Sequence, residues 1–287
     1  MRLSSETTAV VLDSTADLPD PGVRHPNWRL VPLYVRFGDE TFRDHVELEA
    51  ADFYDRLRAS DVQPQSSQPT PADFERAFAE LDGFERILCV LISGKLSGTA
   101  ESARLAAQAT GDERVTVIDS ESVSGGVVIL ADAIQRRLDR GTTDEEIAEL
   151  VERFRRESTI LFTVDTLDYL VRGGRVGKAA GLAGQLLSVK PILAIDDGEV
   201  EPLRRVRGRQ KALAELLRLF EDGTEDSPDL HVGAAHADAE AELETLVARI
   251  RELRPQAALD FQMLLGPVIG THGGPGTIGL FWFRDEA

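Results

Sequence analysis

The sequence predicts an α/β protein of two domains: a doubly wound, mainly parallel sheet in residues 1–165 and an α+β domain with a mixed sheet in residues 166–287. Three observations lead to this prediction. Short, continuously apolar runs alternate with amphipathic helical patterns in the first part, as in parallel sheets covered on both faces. In the second part strands dominate and a hairpin occurs. A length of 287 residues also suits one large domain or two ordinary ones.

The first domain is predicted from alternating strands and helices. Its apolar runs predict buried strands at 9–13, 87–93 and 115–119. Helical patterns occur at 71–81, 99–110, 127–141 and 142–158. The helix at 71–81 has Thr70 as its cap and Pro71 in its first turn, a typical helix start.

The second domain is predicted from a hairpin and three further strands. The two strands of the hairpin flank the turn sequence "DDG", at 191–195 and 199–206. The other strands are expected at 230–237, 258–265 and 277–283, with a helix at 239–253.

The stretch "GPVIGTHGGPGTIGL" (266–280) is rich in glycine and contains His272. A phosphate-binding loop would need a helix N-terminus behind it to supply aligned N–H groups. No helix is predicted there, because the stretch runs from one predicted strand to the next. We therefore expect a tight connection between strands that brings the backbone close to a ligand, with His272 at its tip.

Composition excludes several classes of function. The net charge of −18 disfavours nucleic acid and anionic lipid surfaces as partners. The lone Cys89 forms no intramolecular disulfide. No run approaches the roughly 18 apolar residues of a transmembrane helix, and the first residues lack a signal-peptide pattern. A soluble cytoplasmic protein is expected.

Hydroxyl side chains follow the predicted parallel strands, where ligands of open α/β sheets bind. The carriers are the segments "DSTADLP" (13–19), "SGKLSGT" (93–99) and "DSES" (119–122), and the loop "PQSSQPT" (64–70) adds more. Helix capping is the alternative for most of these side chains. Ser97 stands out because it adjoins Gly98, where backbone can approach a ligand.

Known catalytic motifs are missing from the sequence. It has no G-x-x-x-x-G-K-[ST] loop, no G-x-G-x-x-G after a strand and no G-x-S-x-G elbow. The five histidines show no metal-ligand spacing backed by cysteines, so no metal is expected. A triad of Ser97, His272 and Asp13 can be drawn on paper, because triads are set by geometry and not by spacing.

Two basic stretches interrupt this acidic chain. "LVRGGRVGKAAG" (170–181) contains Arg175 among glycines, where an arginine could bind a carboxylate or phosphate as a planar fork. "LRRVRGRQKA" (203–212) could dock an acidic partner. The alternative for both stretches is a solvated surface.

Seven motifs in order carry a resemblance to a known family. They are "VVLDSTADLP", "SSQPTPADF", "LISGKLSGTAESA", "VIDSESVSGG", "DYLVRGGRVGK", "RRVRGRQKAL" and "GPVIGTHGGPGTIGLFW". The chain resembles the DegV family, of the type that forms the fatty-acid-binding subunit of the bacterial fatty acid kinase system. Each motif alone is weak, and the set in order is specific.

The resemblance implies a protein that holds one long-chain fatty acid in an apolar tunnel between its domains. It presents the carboxylate to a separate ATP-dependent kinase, which forms an acyl phosphate for phospholipid synthesis. Catalysis is then expected in the partner, and this chain is expected to carry no cofactor besides the bound fatty acid. Apolar segments at 181–187, 192–195 and 263–270 could line the tunnel, with plain core packing as the alternative.

Carried over residue by residue, the family's carboxylate site falls on Ser66, Ser97, Arg175 and His272. Secondary candidates on the same segments are Ser67, Ser93, Thr99 and Thr271. A buried carboxylate must have its oxygens hydrogen-bonded, which such side chains can do. One competing hypothesis is a stand-alone serine hydrolase or phosphotransfer enzyme that uses Ser97 and His272. The other is a lipid-responsive interaction protein with no metabolic role.

Overall fold

The computed structural model describes residues 2–182 and 189–286. Its first part contains seven strands: β1 Thr8–Asp13, β2 Trp28–Val31, β3 Tyr34–Phe37, β4 Glu40–Arg43, β5 Gln65–Ser67, β6 Arg86–Leu91 and β7 Val115–Asp119. The helices there are α1 Pro21–Arg24, α2 Ala50–Ala59, α3 Pro71–Ala79, α4 Thr99–Thr110, α5 Gly125–Arg140 and α6 Asp144–Glu157. A 3-10 turn follows β1 at Ser14–Ala16.

The second part contains six strands among the described residues: β8 Thr159–Thr163, β9 Val189–Asp196, β10 Glu199–Arg207, β11 Leu230–His236, β12 Ala258–Leu264 and β13 Ile278–Arg284. Its helices are α7 Asp168–Arg172, α8 Arg209–Gly223, α9 Glu240–Leu253 and α10 Pro267–Gly273. A 3-10 segment spans Gly177–Leu182.

Three sheets organise these strands. A four-stranded parallel sheet has the order β2-β1-β6-β7, and a six-stranded mixed sheet has the order β10-β9-β8-β13-β11-β12. A small antiparallel sheet has the order β4-β3-β5. The predicted combination of a parallel and a mixed sheet is confirmed. The sequence patterns gave no sign of the small sheet, and they treated its strand β5 as a loop.

Helix α5 lies between the two large sheets. It contacts β1 and β6 on one side and β11 and β13 on the other. Its residues are buried around almost the whole circumference, from Gly125 to Gln135. Because α5 is enclosed on almost every side, it forms a layer shared by both sheets. Helices α3 and α4 cover the far face of the parallel sheet, and α8 and α9 cover that of the mixed sheet.

Strand β8 precedes the boundary expected at residue 165, but it pairs with β9 and β13 of the mixed sheet. The mixed sheet thus begins at Thr159. The division into domains at 165 stays a prediction.

Local sequence explains the predicted helix starts. At Thr70 the hydroxyl accepts the Asp73 N–H, and the Asp73 carboxylate accepts the Thr70 N–H at 2.7 Å. This reciprocal pair is a capping box, so the prediction of Thr70 as a cap is confirmed.

Within the described residues, no helix is long and apolar enough to cross a membrane.

Candidate functional site

A cavity of about 350 Å³ lies between the end of the parallel sheet and the inner face of the mixed sheet. This volume lies within the roughly 300–1,000 Å³ usual for small-molecule sites. Side chains from β8, β9, β10 and β13 form an apolar wall: Ile160, Phe162, Ile195, Val200 and Phe281. The opposite side includes Leu265, Val268 and Ile269, which precede or belong to α10. Two of the three predicted lining segments therefore contribute residues. Most of the third, 183–187, lies outside the described residues.

The four principal candidates all line this cavity. Ser66 lies on β5, Ser97 on the loop between β6 and α4, Arg175 after α7, and His272 in the last turn of α10. Ser66 and His272 are 206 positions apart in the sequence, yet Ser66 Oγ and His272 Nε2 lie 2.7 Å apart in the structure. The fold thus gathers the predicted polar groups at one cavity, although their role toward a ligand stays a prediction.

His272 is held in its neutral form. Burial, followed by the charge of Arg175, lowers its pKa to about 4. At neutral pH the imidazole therefore has one N–H and one lone pair. Nδ1 is enclosed and has no hydrogen-bond partner among the described residues, and it faces Gly173 so closely that a side chain there would collide with it. The Ser66 hydroxyl is thus the polar contact of this ring.

Arg175 links the second part of the chain to the loop that carries Ser97. Its Nε donates to Leu96 O at 3.0 Å, and its Nη1 donates to Gly173 O at 2.6 Å. A guanidinium has five N–H donors, so these two bonds leave donors for an anion in the cavity. Arg175 can therefore both position its neighbours and bind an acid group.

The Ser97 hydroxyl lies 2.8 Å from Thr99 Oγ1, just before helix α4. Nearby, Gln68 donates to Gly98 O at 3.2 Å and to Ser102 Oγ at 3.0 Å. Gln68 therefore ties the segment after β5 to the start of α4. It lines the cavity together with the polar residues Thr15, Ser124 and Thr277, none of which was among the predicted site residues. Only their positions near strand ends and within the motifs could have suggested them.

The secondary candidates differ in their placement. Ser67 lines the cavity. Ser93 donates to Gly198 O at 2.8 Å, and Thr271 donates to Pro267 O at 2.8 Å within α10. These two, and Thr99 beside Ser97, are not among the described residues that line the cavity. The hydroxyls of Ser93 and Thr271 support the fold.

The prediction of a bare strand-to-strand connection at 266–280 is wrong, because α10 spans Pro267–Gly273. Glycine disfavours helices, so local propensity hid this one. Pro267 fits the first turn, and Gly270 N donates to Gly266 O at 2.7 Å. The N–H of Gly266, which directly precedes the helix, donates to the carboxylate of Asp17 at 2.8 Å.

The triad of Ser97, His272 and Asp13 is not assembled. His272 Nε2 contacts Ser66 instead. Asp13 accepts the Ile92 N–H at 2.7 Å and the Thr15 N–H at 2.9 Å, so its oxygens are occupied elsewhere. Among the described residues, no group of three or more His, Cys, Asp or Glu could hold a metal ion.

The fold and the site define a layered α/β protein with a mostly apolar cavity whose polar lining includes Ser66, Ser97, Arg175 and His272. The model of the DegV family, described as an uncharacterised protein, matches residues 7–285. The chain belongs to the DegV family.

Relatives extend over nearly the whole chain. A fatty acid-binding protein from Thermotoga maritima is 34% identical over 276 residues, which cover 94% of this chain and 95% of the relative. The solved structure of a DegV family protein from Thermus thermophilus, described by its fatty acid binding, has 35% identity and a TM-score of 0.87. That match covers 97% of this chain and 99% of the other. The fatty acid kinase B3 protein from Streptococcus pneumoniae, loaded with linoleic acid, has 27% identity and a TM-score of 0.83, and covers 97% and 100%.

Proposed function

We propose that this protein binds one long-chain fatty acid in the cavity and presents its carboxylate to a separate ATP-dependent kinase. One observation carries the proposal: Ser66, Ser97, Arg175 and His272 converge on a cavity whose remaining wall is mostly apolar. Such a site suits a ligand with one acidic end and a long apolar body. The fatty-acid-binding descriptions of the T. maritima and T. thermophilus relatives support the same ligand class.

His272, Ser66 and Arg175 together can hydrogen-bond the carboxylate. In the tautomer with Nε2 protonated, neutral His272 can donate to Ser66 Oγ 2.7 Å away, which would free the single hydroxyl proton of Ser66 for a carboxylate oxygen. The spare donors of Arg175 supply the compensating charge. A buried carboxylate without such partners would cost several kcal/mol. The apolar wall contributes about 25 cal/mol for each Å² of acyl chain that it removes from water.

The kinase step is assigned to a partner. In that step a carboxylate oxygen attacks the terminal phosphorus of ATP, and acyl phosphate and ADP are formed. The sequence lacks the phosphate-loop motif for ATP. The S. pneumoniae neighbour is named as the B3 protein of a fatty acid kinase, which supports a two-protein system.

The partner would dock near β10, an edge strand of the mixed sheet. Arg204, Arg205 and Arg207 are exposed there, on a chain whose net charge is −18. Opposite charges speed encounter between partners. Charge reversal by Arg205→Glu should lower acyl phosphate formation and leave the bound lipid unchanged. If Arg205→Glu and wild type form acyl phosphate at the same rate at low salt, this surface does not dock the kinase.

The binding function is tested by extracting the purified protein with organic solvent and identifying the extract by mass spectrometry. About one fatty acid per chain is expected. The absence of both a bound fatty acid and any uptake of added palmitate or oleate would contradict the proposal. Adding a fatty acid kinase and ATP to the loaded protein, with hydroxylamine to trap acyl phosphate, tests the second part. The trapped product should require both proteins.

The alternative is a stand-alone hydrolase or phosphotransfer enzyme. The pairing of His272 with Ser66 makes Ser66 the candidate nucleophile in place of Ser97. This enzyme would turn over acyl esters or phosphates without a partner, and Ser66→Ala would abolish the turnover. A protein that binds lipid but shows no such turnover excludes it.

A further inference from the structure

The segment "DSTAD", Asp13–Asp17, begins at the last residue of β1 and is buried, with Asp13, Ser14 and Thr15 fully enclosed. The sequence alone suggests only helix capping for these side chains. Capping accounts for one contact, the Thr15 N–H donated to Asp13. Burying polar and charged groups is costly unless each is hydrogen-bonded. Their other partners therefore indicate what the segment does.

Asp13 reaches the segment that carries Ser97. Its second oxygen accepts the Ile92 N–H at 2.7 Å, from a residue 79 positions further along the chain. Ile92 lines the cavity and lies five positions before Ser97. Burial raises the pKa of Asp13 to about 6, so this residue keeps its bond at a cost in electrostatic energy. The bond fixes the exit of β6 at the cavity.

Ser14 reaches the segment whose strand pairs with the strand that carries Ser66. Its hydroxyl oxygen accepts the Leu33 N–H at 2.9 Å. Leu33 lines the cavity and directly precedes β3, in which Val35 pairs with Ser66 of β5. The Ser14 hydroxyl thus fixes the sheet that supports the Ser66 side chain.

Asp17 reaches the helix that carries His272. Its two oxygens accept the Gly266 N–H at 2.8 Å and the Ser124 hydroxyl at 2.5 Å. Gly266 directly precedes α10, whose last turn contains His272, and Ser124 directly precedes α5. Asp17 therefore joins the starts of two helices at the cavity, 249 and 107 positions away.

We infer that Asp13, Ser14 and Asp17 are positioning residues that hold the segments bearing Ser97, Ser66 and His272 in register around the ligand carboxylate. The inference rests on the proposed lipid-binding function. Each of the three side chains reaches a different segment, and each segment either carries one proposed carboxylate ligand or, for Ser14, pairs with the strand that carries it. Groups that bind a ligand need such support, because a shift of a fraction of an ångström weakens their hydrogen bonds. We call Asp13–Asp17 the positioning hub.

The hub has its own counter-charge. His45 Nε2 lies 3.8 Å from Asp17 Oδ1, and both side chains are buried. Burial opposes a charge on His45, but the carboxylates of Asp17 and Asp44 outweigh it, so the pKa of His45 is raised. A protonated His45 stabilises the Asp17 carboxylate that holds the start of α10.

The test compares Asp17→Asn with wild type, each loaded with palmitate labelled with ¹³C at the carboxyl carbon. An asparagine side chain offers one oxygen acceptor in place of two, so one of the two helix starts is released. We expect the bound ¹³C signal to shift or split and lipid release to quicken roughly tenfold. A purely structural role would lower the melting temperature without moving the signal.

Asp132→Asn is the matched control. Asp132 is also a buried carboxylate, but it pairs with Arg24 and His25 and does not line the cavity among the described residues. This variant should lower stability and leave the ¹³C signal and the release rate unchanged. An equal spectral change in both variants would overturn the inference, as would a folded Asp17→Asn with an unchanged signal.

Ser14→Ala provides a second route if Asp17→Asn does not fold. It removes the acceptor for the Leu33 N–H, and it should also shift the ¹³C signal, whereas Ser14→Thr should restore it. An unshifted signal in Ser14→Ala would overturn the inference. If the wild-type protein itself shows no bound carboxyl signal, the lipid-binding function fails and the hub inference fails with it.

Discussion

Two histidines of this protein have buried ring nitrogens but opposite electrostatics. Burial by itself would lower the pKa of both imidazoles, and the neighbouring charges decide whether the final pKa is lowered or raised. Arg175 adds to the lowering at His272, whose pKa falls to about 4. The carboxylates of Asp17 and Asp44 reverse it at His45, whose pKa is raised. His272, which is neutral, lines the cavity. His45, which favours its charged form, lies beside Asp17 of the positioning hub.

This difference has a functional reading under the proposed function. A neutral His272 can donate one proton to Ser66 without neutralising an incoming acid, so the charge of the ligand is left to Arg175 and to any catalyst that approaches it. A charged His45 compensates for carboxylates that never meet the ligand. The four predictions below test this contrast, from the largest expected effect to the smallest.

Asp44→Asn should have the largest effect, and it should depend on pH. Burial raises the pKa of Asp44 from 3.8 to about 7, so the folded state favours the protonated form. The stability from this group is present below its ordinary pKa and is lost as pH rises through about 7. Asparagine mimics the neutral acid. The free energy of unfolding of the variant should therefore rise relative to that of wild type between about pH 4 and pH 8, by up to about 4 kcal/mol. Urea unfolding of both proteins at several pH values measures the difference.

Asp285→Asn is the control for that experiment. The carboxylate of Asp285 is buried, but its arginine partners overcome the effect of burial and lower its pKa. Its stabilisation is therefore present above the ordinary pKa and is lost only at more acidic pH. The difference between Asp285→Asn and wild type should stay constant from about pH 5 to pH 8. A constant difference for Asp44→Asn as well would contradict a raised pKa for Asp44.

Ser66→Ala should weaken lipid retention roughly tenfold or more, because a hydrogen bond to a charged group contributes about 1.5–3 kcal/mol. It would also leave His272 Nε2 without its hydroxyl partner. Dissociation of a fluorescent fatty acid measures the effect. Thr271→Val is the control, since that hydroxyl bonds Pro267 O within α10, and its lipid release should match wild type. Wild-type release from Ser66→Ala would remove Ser66 from the site.

Loading with fatty acid should raise the pKa of His272, because a nearby carboxylate favours the imidazolium form. Imidazole NMR titrations of the empty and the loaded protein measure this shift from about 4. The pKa of His45, which faces Asp17 and Asp44 and not the cavity, should stay the same in both titrations and serves as the internal control. Equal movement of both histidines would point to a global change and not to a carboxylate beside His272.

Arg175→Gln should have the smallest effect on the histidine pair. Burial is the first cause of the low pKa of His272, and the charge of Arg175 comes second. Removing the charge should raise this pKa but leave it below the ordinary value for histidine, because burial remains. The same NMR titration in the empty protein measures it. A return to the ordinary value would show that charge, not burial, dominates.

Much of the fold was predictable from local patterns. The apolar runs at 9–13, 87–93 and 115–119 correspond to β1, β6 and β7. Strands β1 and β6 are buried almost throughout, as continuous apolar runs predict, whereas the edge strand β7 is mostly half-buried. Capping residues located helix starts, as at Thr70. Strand β5 and helix α10 were missed, because each is short and is stabilised by contacts with distant segments such as β3.

The candidate site divides in the same way. Motif resemblance nominated Ser66, Ser97, Arg175 and His272, and the fold brings all four to one cavity. It also nominated Ser93 and Thr271, whose hydroxyls donate to backbone carbonyls instead. A motif identifies residue types in order, but it does not state which hydroxyl faces a ligand. Hydrogen-bond geometry makes that distinction.

The sequence by itself determined the alternation of buried strands and amphipathic helices, the acidic surface and the family, because these depend on local periodicity, composition and ordered motifs. Only the tertiary structure decided that Ser66 meets His272 across 206 positions, and that two histidines have pKa values on opposite sides of the ordinary one. The physical reason is that burial and neighbouring charge depend on distance in space, which the order of residues along the chain does not contain.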